Sequence, residues 1–324
     1  MRAAVLPLAL VLAILASLMI GQLPVGPMAL LHGALTGDGT GALVLKVIRG
    51  PRVMTAVGAG AALGLSGALF QTLFRNPLAA PDIMGFTSGS GLAIVVAVAA
   101  GLTLPVPLVA AAGGLVAAVL VALLAWRPGH STPPLTLVLV GLGIGFATSA
   151  LSSFALTSLP LNEAAEAQRW LTGSLNARAW DHAAQVWLAL AMLAVLALSQ
   201  LRPLEALELD SDLATGLGIR ADRARWAIAA IAVLLAAAAV AVAGPVPFVA
   251  LMAAPVGIRL ARARDLKGRL MSGAMAGALI LTLADLAAQA ALPGVALPVG
   301  VATGLFGAPY LLWRLSREMK KGGL

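Results

Sequence analysis

The 324-residue sequence has no cysteine, a single tyrosine and only 10% charged residues. Without cysteine there is no disulfide, no thiolate nucleophile and no cysteine-based metal site. So little charge beside 60% apolar residues and a mean hydropathy of +0.99 excludes an ordinary soluble domain. Lysine is scarce too: Lys46, Lys267, Lys320 and Lys321 follow Leu45, Leu266, Met319 and Lys320. The Gly-Lys pair of a P-loop is therefore missing, and this chain cannot hold ATP in that way. His32, His130 and His182 sit in three separate connections with no partner at ligand spacing. No catalytic residue, metal site or bound cofactor is assigned.

What the chain has instead is long apolar runs. Ten candidate spans follow one another, approximately Ala3–Ile20, Val53–Phe74, Ile83–Ala100, Leu108–Trp126, Leu135–Leu156, Ala183–Leu201, Trp226–Ala243, Val246–Leu260, Leu270–Leu292 and Val299–Trp313. The expected fold is an all-α integral membrane protein of about ten transmembrane helices, with residues 1–324 forming a single domain. The first run exceeds a signal-peptide core and lacks a small-x-small cleavage site, so it is read as a span. The eighth and tenth are short for a core of ~30 Å, as broken or sheltered spans are. The 35 glycines and 19 prolines suit a bundle whose helices approach closely.

Basic residues set the orientation. Lys46, Arg49, Arg52, Arg169 and Arg178 fall on one side of this topology, and the other 16 of the 21 fall on the opposite side. The second side is expected to be cytoplasmic, with both termini inside. Membrane topology thus accounts for the net charge of +8, and no nucleic-acid partner is implied. Three connections are long: an external segment 21–52 with a short helix through Ala42–Ile48, an external loop 159–182 carrying Trp170 and Trp180, and an internal loop 201–225. The internal loop holds Glu205, Glu208, Asp210, Asp212 and Asp222 and has apolar residues at helical spacing, Leu204, Leu207 and Leu213, with Leu217 further on. It reads as an amphipathic helix broken at Gly216 or Gly218. Among the acids, Asp82 is placed at a turn and Asp285 inside the ninth span. A central aspartate costs roughly 2.5–3.5 kcal/mol to insert, so Asp285 is either hydrogen-bonded to another helix or touches a substrate or ion. No basic partner for it is evident. A polytopic protein without an engine, but with a folded polar loop inside, suggests that an external engine docks there.

The motifs then resemble a known family. Arg49-x-Pro51-Arg52, Gly67-Ala68-x-x-Gln71, Arg75-Asn76-Pro77-Leu78-Ala79-x-Pro81 and Gly85 resemble the first signature of FecCD-type permeases, the membrane subunits of type II ABC importers for iron-siderophores, haem and cobalamin. Trp170-Leu171-Thr172-Gly173-Ser174-Leu175, Leu217-Gly218 with Arg223, Ala243-Gly244-Pro245-x-x-Phe248, Ala284-Asp285, Leu297-Pro298-Val299-Gly300 and Gly307-Ala308-Pro309 continue it in order. The resemblance implies a type II ABC importer permease bundle in the cytoplasmic (inner) membrane of a bacterium, importing a ferric siderophore. Haem or cobalamin is the alternative cargo, and an ion-gradient-driven secondary transporter the alternative class. It also implies as partners a second permease, two cytoplasmic ATPases that hold the ATP-Mg, and a periplasmic or lipid-anchored binding protein.

The resemblance assigns sites as well. Arg49 and Arg52, with Gln289 at a position where the family has an arginine, would receive acidic residues of the binding protein; the plainer reading is interfacial anchoring. Glu205, Leu207, Asp212, Leu213, Ala214, Leu217 and Gly218 would form the coupling helix on the ATPase. Arg75 and Asn76 would either join that contact or cap their turn. Gly141, Gly145, Thr148, Ser149 and Ser152 of the fifth span, with Asp285, would line the translocation path; helix packing explains the glycines equally well. Three departures, Val256 in place of histidine, Gln289 in place of arginine and Ala296 in place of glutamate, favour a heterodimer with a second permease over a homodimer.

Overall fold

The computed structural model describes residues 4–21, 24–102, 104–125, 134–209, 211–291 and 297–320, and among them there is no strand. In chain order the helices are α1 (Val5–Met19), α2 (Pro27–Thr36), α3 (Gly39–Leu43), α4 (Gly50–Leu73), α5 (Phe86–Ala99), α6 (Val106–Ala125), α7 (Pro134–Thr157) and α8 (Leu161–Leu171). There follow α9 (Trp180–Ser199), α10 (Leu201–Leu209), α11 (Ser211–Gly216), α12 (Ala221–Ala243), α13 (Val249–Ala261), α14 (Leu266–Ala290) and α15 (Val299–Lys320). A π-helical turn, Val44–Ile48, leads into α4, and a 3-10 turn, Pro81–Met84, leads into α5. Every one of the ten apolar runs contains a helix.

The bundle is built around α4. The stretch that contains it is 94% buried, against 11% for the most apolar stretch of α7. Burial on that scale requires neighbours that come very close, and the sequence of α4 permits it. At Gly60 an added Cβ would strike the carbonyl of Gly277 in α14, and at Gly67 it would strike the carbonyl of Ala250 in α13. Helices at such spacing gain dispersion contacts along their whole length, which is what holds a bundle together in lipid. The few polar groups of α4 are satisfied within the protein: Ser66 Oγ donates to Ala232 O at 2.6 Å, and Gln71 Nε2 donates to Leu251 O at 3.0 Å. Around this centre pack α14, α12, α13 and α9, while α5, α6 and α7 form a second group beside it.

Local chemistry sets the helix ends. Pro27 starts α2, and Gly37 ends it in the left-handed region at φ 78°. Asp265 caps α14 by accepting from Gly268 N. The short eighth span has a cause too. After α12 the backbone breaks at Gly244-Pro245, and α13 begins only at Val249, behind a left-handed Phe248 with φ 67°.

The long connections are more helical than expected. Segment 21–52 contains α2 in addition to the expected short helix, which is α3 continued by the π turn. The loop 201–225 forms two helices, α10 and α11, and the expected glycine break is Gly218 at φ 79°.

Candidate functional site

At the end of the bundle where α4 begins, Arg52 is held in a closed polar network. Its Nε donates to Asp285 Oδ1 (3.1 Å) and Oδ2 (2.9 Å), and Nη2 donates to Oδ1 at 2.7 Å. Nη1 donates to Asn176 Oδ1 at 2.6 Å, and Gln289 Nε2 donates to Asp285 Oδ2 at 2.8 Å. Asp285 is 1% exposed and the Arg52 side chain 14%. A carboxylate this deep needs a paired and hydrogen-bonded cation, and the bidentate fork supplies both. The expectation that Asp285 lacks a basic partner is therefore corrected: its partner lies 233 positions away in the chain, beyond the reach of any local pattern.

Arg49 is also turned inward. It is 4% exposed and its Nη1 donates to Leu18 O at 2.8 Å. Neither guanidinium stands out from the surface as an exposed docking charge would. The reason is local: the π turn and the Gly50-Pro51 helix start roll this part of the chain against α1 and α14.

Asn176 links the network to a neighbouring cavity of about 930 Å³, whose walls include Asn162, Glu166, Trp170, Ser174, Arg178, His182 and Pro298. Arg178 lies over the Trp170 ring, 5.5 Å from its centroid, and donates from Nη2 to Ser174 O at 3.0 Å. Its Nε is buried with no partner among the described residues, and desolvation lowers its pKa from the usual arginine value. Nothing in the spacing of the sequence marked Asn176 or Arg178 as members of one site.

The opposite end carries most of the basic residues. There Arg269 Nη2 of α14 donates to Glu208 Oε2 of α10, and Arg75 Nη1 donates to Leu209 O at 3.2 Å. Asn76 Oδ1 accepts from Leu78 N at 2.8 Å, so Asn76 caps the turn, the second of its two expected roles. Of the residues expected to couple, Leu207 and Ala214 are buried while Glu205, Leu217 and Gly218 are exposed. Asp212 and Leu213 belong to α11 by their backbones, and their side chains lie outside the described set.

In α7 the small residues divide between two faces. Gly141 and Gly145 pack on Gly85, and Ser152 is 7% exposed with its Oγ bonded to Thr148 O. Thr148 Oγ1 likewise returns to Ile144 O at 2.8 Å. Ser149 sits on the open face with Leu142, Phe146 and Ser153.

A family model described as the FecCD transport family matches residues 9–317. The chain belongs to that family. It is 38% identical over 292 residues to the ferric enterobactin transport system permease protein FepG of Escherichia coli, covering 89% of this chain and 87% of FepG. It is 35% identical over 323 residues to the Fe(3+)-citrate import system permease protein YfmE of Bacillus subtilis, covering 98% and 96%. A solved inward-facing metal-chelate type ABC transporter superposes with a TM-score of 0.84 at 27% identity, covering 96% of this chain and 97% of that one. The helical bundle is thus that of a type II ABC importer permease, and this FecCD chain is a membrane-spanning transport subunit whose relatives are permeases rather than enzymes.

Proposed function

We propose that this FecCD chain is the pore-forming subunit of an ATP-driven importer that carries a ferric siderophore across the cytoplasmic membrane of a bacterium. The observation that carries the cargo is its similarity, over most of both chains, to permeases of ferric enterobactin and Fe(3+)-citrate systems. Two partner ATPases supply the ATP chemistry, and the α10–α11 segment is the surface on which they act. A second permease lies against the open faces of α7 and α15, and a substrate-binding protein caps the Arg52 end. Gln289, in place of an arginine, only supports Asp285, so a heterodimer whose other permease brings the missing charge fits this chain best. Ala296, the third departure, lies outside the described residues.

The buried geometry refines two assignments. Arg49 and Arg52 hold the binding-protein face in shape from beneath, because their guanidinium groups are already engaged within the chain. The path surface of α7 is the open side with Ser149, since Gly141 and Ser152 are packed inward.

The test is uptake of a ⁵⁵Fe-chelate into liposomes that contain the complete complex and no ion gradient. Uptake that requires internal-face ATP and the binding protein is the expected result. Uptake driven by a proton or sodium gradient without ATP would refute the engine, and transport of cobalamin or haem but no ferric chelate would refute the cargo.

A further inference from the structure

The sequence places Asp82 at a turn, and the structure shows what that turn joins. It lies in the 3-10 turn between α4 and α5, where α5 begins behind Gly85 at φ 74°. Across from it α13 begins behind Phe248 at φ 67°. The two helices have 14 and 13 residues, so each is about 20 Å long and neither alone crosses a core of ~30 Å. They run in different directions: midway along α5, Gly91 packs on Leu171 toward the Arg52 side, whereas α13 ends among Arg259 and Arg262. Their N-termini therefore meet inside the bundle, and Asp82 is between them. Thr87 Oγ1, from the first turn of α5, donates to Asp82 Oδ1 at 2.7 Å. The Phe248 backbone amide, at the start of α13, faces the same carboxyl group. Oδ2 is shut off from solvent and completes no hydrogen bond among the described residues.

Behind each N-terminus stands a helix with an open face. A Cβ at Gly85 would lie 3.0 Å from Gly141 O and 3.1 Å from Gly145 N in α7, and a Cβ at Gly307 in α15 would strike Phe248 Cβ. We propose that Asp82 is the positioning residue of the transport cycle, the shared acidic partner of two half-length helices whose junction sets the spacing of α7 and α15. Two helix N-termini present partial positive charge and unpaired N–H groups, and one carboxylate serves both. Moving either wall means moving a helix start that Asp82 holds.

The chain has no cysteine, so a label pair at exposed positions, Ala150→Cys in α7 and Leu305→Cys in α15, can report the spacing directly. In the complete complex in liposomes, Asp82→Ala is expected to shift or broaden the α7–α15 distance distribution and to lower transport per ATP by about tenfold. Asp82→Asn, which keeps the acceptor but loses the charge, falls between. Thr87→Val leaves the carboxylate in place and is expected to give a change of about threefold in the same direction. If Asp82→Ala does not assemble, Thr87→Val carries the test. Distances unchanged in the variant measured overturn the proposal, even where transport falls. Only the transport arm rests on the permease reading: a wild-type complex that moves no chelate would refute that reading, while the distances would still judge Asp82.

Discussion

Among the described residues, two ion pairs join distant elements of this bundle, one at each end, and they differ in the water they keep. Arg52–Asp285 retains 14% and 1% side-chain exposure, whereas Arg269–Glu208 retains 28% and 27%. The first is bidentate, closed by Asn176 and Gln289, and locks α4 to α14 and to the loop before α9. The second is a single contact between α14 and α10. Burial makes the first pair costly to break, because either partner left alone is a stranded charge. Partial hydration makes the second cheap to rearrange. One end of the molecule is held rigidly in shape, and the other can rearrange at little cost.

The largest effect should come from separating the buried pair. Arg52→Ala or Asp285→Ala alone is expected to cost about 3–5 kcal/mol, seen as a lowered unfolding temperature in detergent. The double change Arg52→Met with Asp285→Leu should recover most of that loss, since no lone charge remains. A double variant as unstable as either single one would show that the pair does more than neutralise itself. Next in size is the close approach behind it. Gly60→Val forces α4 from α14, where the carbonyl of Gly277 occupies the space, and should cost about 1–3 kcal/mol in the same measurement. No loss there would mean that the two helices can separate without penalty.

The two ends also differed in how far the sequence revealed them. Each of the ten apolar runs contains a helix, and six helices among the described residues are long and apolar enough to cross a membrane, because lipid demands long apolar segments and leaves few alternatives. The loop with Leu204 and Leu207 declared its helix through spacing, and both residues are indeed buried. The polar network was not legible in the same way. Arg52, Asp285 and Gln289 were each noticed as unusual, but their union depends on a crossing of α4 and α14 that no local period encodes. Asn176 gave no signal at all. Asp82 was rightly placed at a turn, but that this turn lies against the start of α13 depends on a long-range contact with Phe248 that no local pattern encodes.

The hydrated pair offers a smaller effect on stability and a sharper one on function. Glu208→Ala and Arg269→Ala should each shift stability by only about 0–1 kcal/mol. In the reconstituted importer they should raise the ATP consumed per chelate moved, since α10 would lose its tie to α14. Normal coupling in both variants would move the transmitting contact away from this pair and toward Arg75 and Leu209.

Leu217 carries the comparison to its limit. It is 68% exposed at the end of the α10–α11 segment, beside the left-handed Gly218, so it stabilises the isolated chain very little. Leu217→Asp should change the unfolding temperature within the range of an ordinary surface substitution, about 0.5 kcal/mol. An apolar side chain left in water at a surface with exposed charges such as Arg220 and Arg223 has little to gain there unless something covers it. The same substitution should therefore weaken recovery of the ATPase with the purified permease, because a charge would enter a contact that loses its water. A variant that retains the ATPase fully would place the covered surface elsewhere on the basic end, and with it the point where force enters the bundle.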